Sequence, residues 1–501
     1  MSTITIDDKN IEFTGSPKLI ELARDNGIEI PHFCYHHALS ISGNCRMCVV
    51  EIGTRQRNPE TGDFHKDSCD RDIINHVPKP QISCSLVAVD GMVVLTHSEK
   101  IVEARKSVLE FILANHPLDC PVCDQAGECV LQDYAFQYGF AKSRFTEKKR
   151  IYEKKKISEV MTPEMNRCIH CDRCARFTSE IVNDHSFART KRGNKLELAT
   201  LPGKIITHNY QGNMVDICPV GALTLTDFRF KSRTWFLKFG LTLCSSCGKG
   251  CNVMLSYKDS RIFRLKPVFN EKVNSYWMCD YGRLRYQFLN DGRKENHSIN
   301  GARSTLSDAA EAAAEIIKKA SSIGVVASAN ETEESCVSIF RLFCGTVHTP
   351  NIDYRITDAQ ISDNRSVKPG ELLLAIDKYP NSAGAKLAGL LPGMGGISAH
   401  DLLADPSVVD LLFIILDDKI LENEELLKNL SLNRNLVILS PFKTKWDSTA
   451  AVSFASLAYT ETSGSFTNID GIRQTFGPVM KPFGEAADSS IIFDMIRSRL
   501  Q

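Results

Sequence analysis

The sequence predicts an α+β and α/β multidomain protein: small cysteine-bearing domains first, then a parallel α/β domain. Three observations carry this expectation. At 501 residues the chain exceeds what one hydrophobic core normally supports. All but two of its 18 cysteines lie before residue 280. Beyond about residue 298 the texture changes, and short apolar runs alternate with charged helical stretches, as in a parallel sheet covered by helices.

Taken in order, residues 3–13 alternate apolar and polar around Asp7-Asp8-Lys9-Asn10, which predicts a hairpin. Ser16-Pro17 opens a predicted helix through Leu19, Ile20, Leu22 and Ala23, and Asn26-Gly27 closes it. A hairpin, a helix and a cysteine loop together describe a small ferredoxin. Residues 54–80, rich in Arg, Asn, Asp and Pro, read as a surface insertion before an apolar strand over 81–87 that carries Cys84. Residues 99–115 place Val102, Arg105, Val108, Leu109 and Ile112 at helical spacing and deliver His116 at the helix end. The basic run Lys142–Lys156 reads as a solvated face or linker. In the last part, Ile323–Ala329, Leu372–Ile376, Leu411–Leu416 and Leu436–Leu439 read as buried strands. Cys336 and Cys344 lie there in an apolar, helix-like stretch and read as packing residues. Gly389–Gly396 is glycine-rich but lacks the strand-to-helix setting of a phosphate loop.

Lys+Arg and Asp+Glu are equal at 60 each, so charge makes no case for nucleic acid. The first residues show neither a secretory signal nor an arginine-rich transit peptide. The longest apolar run, Leu411–Leu416, is far short of a membrane span. Dense cysteine in a chain of this kind reads as metal binding in a reducing compartment rather than as disulfides.

The cysteines fall into four spaced groups. Cys34-x10-Cys45-x2-Cys48 with Cys84 is the first, and His116-x3-Cys120-x2-Cys123-x5-Cys129 the second. Cys168-x2-Cys171-x2-Cys174 with Cys218 makes the third, and Cys244-x2-Cys247-x3-Cys251-x27-Cys279 the fourth. Three cysteines two apart, followed by a distant Cys-Pro, match the loop that wraps a cubane iron–sulfur cluster. Small residues, as in Ser42-Gly43-Asn44-Cys45-Arg46-Met47-Cys48, leave backbone N–H groups free to face cluster sulfur. A structural zinc site would usually show two C-x2-C pairs, so zinc remains open for a single group but is poorly suited to all four. A lone histidine at a helix end is usually a cap, yet His116 precedes a group otherwise one ligand short. Cys69 and Cys84 compete to complete the first group; Cys69 lies in a charged stretch and Cys84 in an apolar one, which favours Cys84.

With these motifs on the page, the chain resembles the large iron–sulfur subunit of respiratory complex I, the 75-kDa or G-type subunit of bacterial NADH:quinone oxidoreductase. The resemblance rests on Cys34-Tyr35-His36, Gly43–Cys48, Asn115–Cys129, Arg167-Cys168-Ile169-His170-Cys171-Asp172-Arg173-Cys174 and Asp216–Leu223 in the family's order. Over the remainder it is weaker, with Gly464–Asn468 and Asp470-Gly471 similar to the molybdopterin-oxidoreductase-like domain.

The resemblance implies a [2Fe–2S] centre on Cys34, Cys45, Cys48 and Cys84, and [4Fe–4S] centres on His116, Cys120, Cys123 and Cys129 and on Cys168, Cys171, Cys174 and Cys218. A third [4Fe–4S] centre, on Cys244, Cys247, Cys251 and Cys279, would be the extra one of some bacterial members. It also implies a β-grasp [2Fe–2S] domain at 1–97 and, at 98–140, a [4Fe–4S] domain with one histidine and three cysteine ligands. A ferredoxin-like domain at 141–235, a Mo/W-oxidoreductase-type cluster domain at 240–297, and a degenerate molybdopterin-oxidoreductase-like domain without pterin at 298–501 would follow. Electrons from NADH would enter from an FMN-containing subunit and leave toward quinone. On this resemblance no acid, base or nucleophile need be nominated in this chain. By resemblance, the His-ligated cluster lies between the binuclear centre and the next cubane, and the fourth cluster sits off the main path. The implied partners are the FMN/NADH-binding subunit, a small [2Fe–2S] subunit and the quinone-proximal [4Fe–4S] subunits, with the chain peripheral on the cytoplasmic face of the bacterial inner membrane.

The chain departs from the family's pattern in the 54–80 insertion, which keeps Cys69 in play, and in a C-terminal domain that ends earlier than in many relatives. Rival readings fit less well. A Mo/W formate dehydrogenase typically has Lys two residues after its last cluster cysteine, where this chain has Tyr281. An iron-only hydrogenase needs more cysteines after residue 285 than the two present. A zinc-stapled scaffold would be colourless.

Overall fold

A computed structural model describes residues 1–57, 60–61, 63–68, 70, 72–433 and 435–501. Cys69, the competing ligand of the first group, lies outside the described residues. The chain divides into two units, Met1–Trp235 and Phe236–Gln501.

The first unit opens with the predicted hairpin, β1 (Ser2–Ile6) and β2 (Lys9–Phe13), paired antiparallel with Ile4 opposite Ile11. Its alternation sends Ile4, Ile6, Ile11 and Phe13 into the core. Asp7 and Asp8 both take positive φ, the requirement of a two-residue hairpin turn. Helix α1 (Leu19–Asp25) buries Leu19, Ile20, Leu22 and Ala23. It starts later than Ser16-Pro17 predicts, because Pro17 and Lys18 are extended against the 86–88 segment. Leu19 N donates to Leu86 O (2.8 Å) and Ala88 N to Pro17 O (2.9 Å), so Ser16 caps nothing.

β3 (Val49–Arg55), β4 (Ile74–His76), β5 (Gln81–Ile82) and β6 (Met92–Leu95) complete this sheet in the order β2-β1-β6-β3-β4, with β5 also on β3. β6 runs parallel to β1 and antiparallel to β3. At the base of the 54–80 segment, β3 and β4 pair antiparallel with Gly53 opposite His76 and Arg55 opposite Ile74. The strand expected over 81–87 is only two residues long; Ser83 to Ser85 turn, and Cys84 sits in that turn.

α2 (Glu99–Asn115) is capped by Ser98, whose Oγ accepts from Ile101 N, and α3 (Val130–Tyr138) lies against it. The basic run 142–156 is neither helix nor strand. It is a strap tied to the end of α2: Lys149 Nζ donates to Leu113 O and Ala114 O, and Arg150 N to Asn115 Oδ1. An ammonium on the last carbonyls of a helix is favoured by the helix dipole. Two small antiparallel pairs follow, β7 (Met161–Pro163) with β10 (Leu223–Leu225), and β8 (Phe187–Thr190) with β9 (Glu197–Thr200). Between them run the short helices α4 (Arg173–Arg176) and α5 (Gln211–Asp216).

The second unit begins with an antiparallel sheet of β11 (Lys238–Leu243), β12 (Asn252–Lys258) and β13 (Arg261–Pro267), then α6 (Asp280–Leu284). A larger sheet follows, built from β14 (His297–Ile299), β15 (Ala302–Ser304), β16 (Ile323–Val326), β17 (Asn351–Asp353), β18 (Leu411–Ile415), β19 (Asn435–Ser440) and β20 (Val452–Ala455) in the order β15-β14-β20-β19-β18-β16-β17. β17, β16, β18, β19 and β20 are mutually parallel, and β14–β15 is an antiparallel edge hairpin. Helices α7 (Leu306–Lys319), α8 (Glu333–Phe340) and the C-terminal helix Ser489–Leu500 cover it.

Three of the four predicted strands form. Leu372–Ile376 does not; it is loop, held by one isolated bridge between Val367 and Ala375. Cys336 is buried in the core and Cys344 packs at its margin. Gly389–Gly396 follows a helix rather than a strand and lies along Pro350. Among the described residues, no helix is long and apolar enough to cross a membrane.

Candidate metal centres

The first group is assembled by sheet register. Val49 pairs with Ile82 across β3 and β5, and Ser83 donates to Cys48 O through both N (3.0 Å) and Oγ (2.9 Å). That pairing sets Cys84 beside Cys48, and both are at most 1 % exposed. Cys34 is equally buried, and Cys45 half-buried. Gly43 and Arg46 turn the cysteine loop with left-handed φ. The thiols act on one another in two couples. Interaction with Cys45 pulls Cys34 down to about 5 while Cys45 moves up; interaction with Cys84 pulls Cys48 down to about 7 while Cys84 moves up. Beneath them Arg105 is fully buried, donating to Thr96 O (2.8 Å) and Val49 O (3.0 Å).

The second group gathers at the foot of α2. His116 is the C-cap of that helix, and Cys123 and Cys129 are buried while Cys120 is exposed. The Nδ1 of His116 is buried with no hydrogen-bond partner. Burial lowers its pKa to about 4, so the imidazole is neutral, the form that ligates metal. Burial also pushes the Cys129 thiol up to about 11. Arg167 reaches Asp119 through Nε (2.9 Å) and Nη2 (2.5 Å).

The third group wraps Cys168, Cys171 and Cys174 around a loop in which His170 and Asp172 adopt left-handed φ. These residue types tolerate that conformation better than most. His170 N points at Cys168 Sγ (3.4 Å). Cys218 enters from the end of α5. Burial, reinforced by the neighbouring sulfurs, holds the Cys174 thiol far above its ordinary value, and Cys171 is pushed up to about 11. Four such thiols ionise together only around a cationic inorganic core.

The fourth group lies in the second unit. Cys244, Cys247, Cys251 and Cys279 are each no more than 5 % exposed. Cys244 N donates to Cys251 O (2.8 Å), closing the loop, and Gly282 N at the start of α6 points at Cys279 Sγ (3.4 Å). A Cβ on Gly282 would stand 2.8 Å from Cys244 Sγ and 3.5 Å from Cys279 Sγ, so the glycine forms a cradle for sulfur. Burial first, then the other three sulfurs, raises the Cys251 thiol well above its ordinary value.

Among the described residues, no three His, Cys, Asp or Glu side chains converge as ligands of one ion. The donor sets nonetheless fit clusters: thiols in fours (once three with an imidazole), backbone N–H groups aimed at sulfur, an orphaned buried ring nitrogen, and glycines where a side chain would strike sulfur.

The three groups of the first unit interlock. Asn44 Nδ2, in the first loop, donates to His170 O and Asp172 Oδ2 in the third, each at 3.1 Å. From α4, Arg173 donates to Tyr35 O (2.6 Å) and Ile217 O (3.2 Å), and Arg176 to Cys34 O and Ser40 O. On the other side, the segment after Cys218 lies on the second group: Val130 N donates to Pro219 O (3.2 Å), and Gly221 abuts Cys123 Sγ. Against the expectation that the His-bearing group lies between the other two, the third group makes hydrogen bonds or close contact with both, because Cys218 closes it from far along the chain and carries its own loop onto Cys123. Sequence reading gave no role at the site to the side chains of Asn44, Arg105, Arg167, Arg173 and Arg176 or to the close approaches at Gly221 and Gly282. Only Arg105 left a signal, a charged residue on the apolar stripe of a helix.

Comparison with known proteins matches these segments one by one. Residues 1–99 match the 2Fe-2S iron-sulfur cluster binding domain, and 105–144 the NADH-ubiquinone oxidoreductase-G iron-sulfur binding region. Residues 158–224 match the ferredoxin-like domain of NADH-quinone oxidoreductase subunit 3, and 237–291 the molybdopterin oxidoreductase Fe4S4 domain. Residues 1–291 are thus similar, segment by segment, to iron–sulfur domains, two of them described for NADH-quinone or NADH-ubiquinone oxidoreductase subunits. The NADH-ubiquinone oxidoreductase 75 kDa subunit of Reclinomonas americana is 38% identical over 299 residues, 60% of this chain and 40% of that protein. The G-type subunit of NADH-quinone oxidoreductase from Rickettsia bellii is 34% identical over 371 residues, 72% of this chain and 51% of that one. The chain thus spans about half, or less, of the length of the curated relatives it matches. A solved NAD+-reducing [NiFe]-hydrogenase chain aligns at 26% identity over 46% of this chain and 90% of that one, with a TM-score of 0.37.

Proposed function

We propose that this chain is an electron-transfer subunit of NADH:quinone oxidoreductase, carrying electrons from an FMN-containing subunit toward quinone. The observation that carries the reading is the interlocking of three ligand groups within one unit, each sharing hydrogen bonds or van der Waals contact with the next. On this reading Cys34, Cys45, Cys48 and Cys84 hold a [2Fe–2S] centre in a β-grasp domain. His116 with Cys120, Cys123 and Cys129, and Cys168, Cys171 and Cys174 with Cys218, hold [4Fe–4S] centres. Cys244, Cys247, Cys251 and Cys279 hold a third. Bound clusters supply reversible one-electron storage.

The chain's residues do the rest. Thiolates and one neutral imidazole fix the centres, burial excludes water, and loops tied to each other keep the spacing constant. The route that the contacts favour runs from the first group through the third to the second; the fourth group belongs to the second unit. That unit is read as a degenerate molybdopterin-oxidoreductase-like domain. Its cavity at the C-terminal ends of β16 and β18, where such folds bind ligands, is about 40 Å³, below the roughly 300 Å³ of a small-molecule site. Residues there do not fit a pterin, and Tyr281 occupies the position of the relay lysine. The partners would be the FMN/NADH-binding, small [2Fe–2S] and quinone-proximal [4Fe–4S] subunits, which would also supply the attachment to the cytoplasmic face of the membrane.

The test is anaerobic reconstitution of the full chain with iron and sulfide, followed by metal analysis and EPR during stepwise reduction. One binuclear and three cubane signals, with no stoichiometric molybdenum or tungsten, are expected. A colourless zinc protein, or one binding either of those metals, would refute the proposal.

A further inference from the structure

We infer that Arg173 is a shared positioning residue of the first and third centres, its single guanidinium setting the reduction potentials of both together. The inference rests on the cluster reading above. Arg173 lies on α4, between Cys171 and Cys174 on its own loop and the Cys34 loop opposite. It donates to the carbonyl beside Cys34, Tyr35 O at 2.6 Å, and to the carbonyl before Cys218, Ile217 O at 3.2 Å. Its Nε is buried and has no hydrogen-bond partner. The four groups that act most strongly on its charge are the sulfurs of Cys171, Cys218, Cys45 and Cys34, two from each centre. No carboxylate is among them.

A buried cation has to be compensated, or its desolvation destabilises the fold. Arg167 shows the ordinary solution, a carboxylate from Asp119 at 2.5 Å. Arg173 is half-buried, with its Nε withdrawn from solvent, and would take its compensating negative charge from thiolate-ligated centres on both sides. Each reduction adds one electron to a centre and breaks no bond, so it adds negative charge beside this cation. Reduction is favoured at both centres for the same electrostatic reason. One residue then lifts both potentials together and leaves the step between them nearly unchanged, which lets charge pass in that step without a trap. Arg176, one turn on, ties Cys34 O and Cys171 O to the same helix and keeps the geometry.

The experiment uses the reconstituted full chain and compares wild type, Arg173→Gln and Arg173→Lys by iron and sulfide analysis and EPR-monitored redox titration. If wild type holds no clusters, the functional reading fails. If it holds them, Arg173→Gln is expected to lower the one-electron reduction constants of the binuclear centre and the third-group cubane at least tenfold each, about 59 mV. The second and fourth centres should not move, and Arg173→Lys should restore both. A shift confined to one centre, or no shift, overturns the inference. Should Arg173→Gln lose a centre, Arg173→Lys decides: both midpoints held at wild-type values support the charge role. Lost iron or lowered midpoints in Arg173→Lys overturn it in favour of a structural strut.

Discussion

Adding one methyl group at Gly282 tests the fourth site by sterics alone. The position is helical and lies in the first turn of α6, so alanine is conformationally welcome there and by propensity alone would stabilise the helix by roughly 0.5–1 kcal/mol. Space decides against it. The new Cβ would stand 2.8 Å from Cys244 Sγ, where ordinary contact begins at 3.4 Å, so sulfur or helix must give by at least 0.6 Å. Ligand distances in a metal site tolerate about 0.2 Å. Cys244 is held by its N–H bond to Cys251 O, and α6 by Cys279 at its N-cap, so neither side yields easily. Gly282→Ala should therefore lose one cubane's iron and sulfide and the matching EPR signal while the three centres of the first unit stay at wild-type occupancy. Iron and sulfide analysis with EPR of the dithionite-reduced protein measures this. A Gly282→Ala protein with full iron and an unchanged fourth signal would refute the placement of Cys244 and Cys279 around one centre.

Gly221→Ala makes the same kind of clash at Cys123 Sγ, more severely, and should remove the His-ligated cubane selectively, read by the same iron count and EPR. Cys84→Ser should abolish the binuclear EPR signal, whereas Cys69→Ser should leave it intact; the reverse would move the ligand. Arg105→Met removes charged hydrogen bonds from Thr96 O and Val49 O, both buried, and should lower the stability of the first unit by about 3 kcal/mol. A urea titration followed at the binuclear centre's visible absorption would measure that loss. His297 is fully buried, and burial lowers its pKa below the ordinary 6.5. Its neutral form accepts from Ala455 N, so its stabilisation is complete above that value and lost as pH falls below it. The gap in melting temperature between wild type and His297→Gln should narrow from pH 7.5 to pH 5.

What the sequence made legible was whatever depends on spacing within one short segment. The hairpin of β1 and β2 follows from alternation, α2 from its apolar stripe, and three parallel strands from their short apolar runs. The four cysteine groups could be proposed from sequence because cluster loops draw most of their ligands from a few adjacent residues. What was hidden depends on segments distant in sequence. Ser16-Pro17 is a good helix start by local rules, yet pairing of Pro17 and Lys18 with 86–88 delays the helix to Leu19. Leu372–Ile376 is as apolar as Leu436–Leu439 but finds no neighbouring strand. The contacts of the third group with both others could not be read from chain order, since Cys218 and Gly221 arrive from beyond a small domain.

If the three ligand groups of the first unit hold the proposed clusters, the charge pattern around them is the one a wire requires. Each of the three ligand groups has an arginine beside it, Arg105 and Arg167 buried and Arg173 half-buried, but the arginines are not equivalent. Arg105 and Arg173 donate to carbonyls and face sulfur, so their charge acts on the first and third centres. Arg167, beside the second group, is neutralised by Asp119 and contributes little net charge. That is also the group in which a neutral imidazole replaces a thiolate. Exchanging thiolate for histidine removes one negative charge from the ligand set and raises the potential, as an uncancelled cation does. The chain thus reaches the same electrostatic end by two routes: an arginine where four thiolates bind, and a histidine where the arginine is already paired. Asp119→Asn would free Arg167 and give the second centre both devices at once. Its midpoint should then rise clear of the third centre's in a redox titration, turning an even path into one with a sink; an unmoved midpoint would show that Arg167 does not act on that centre.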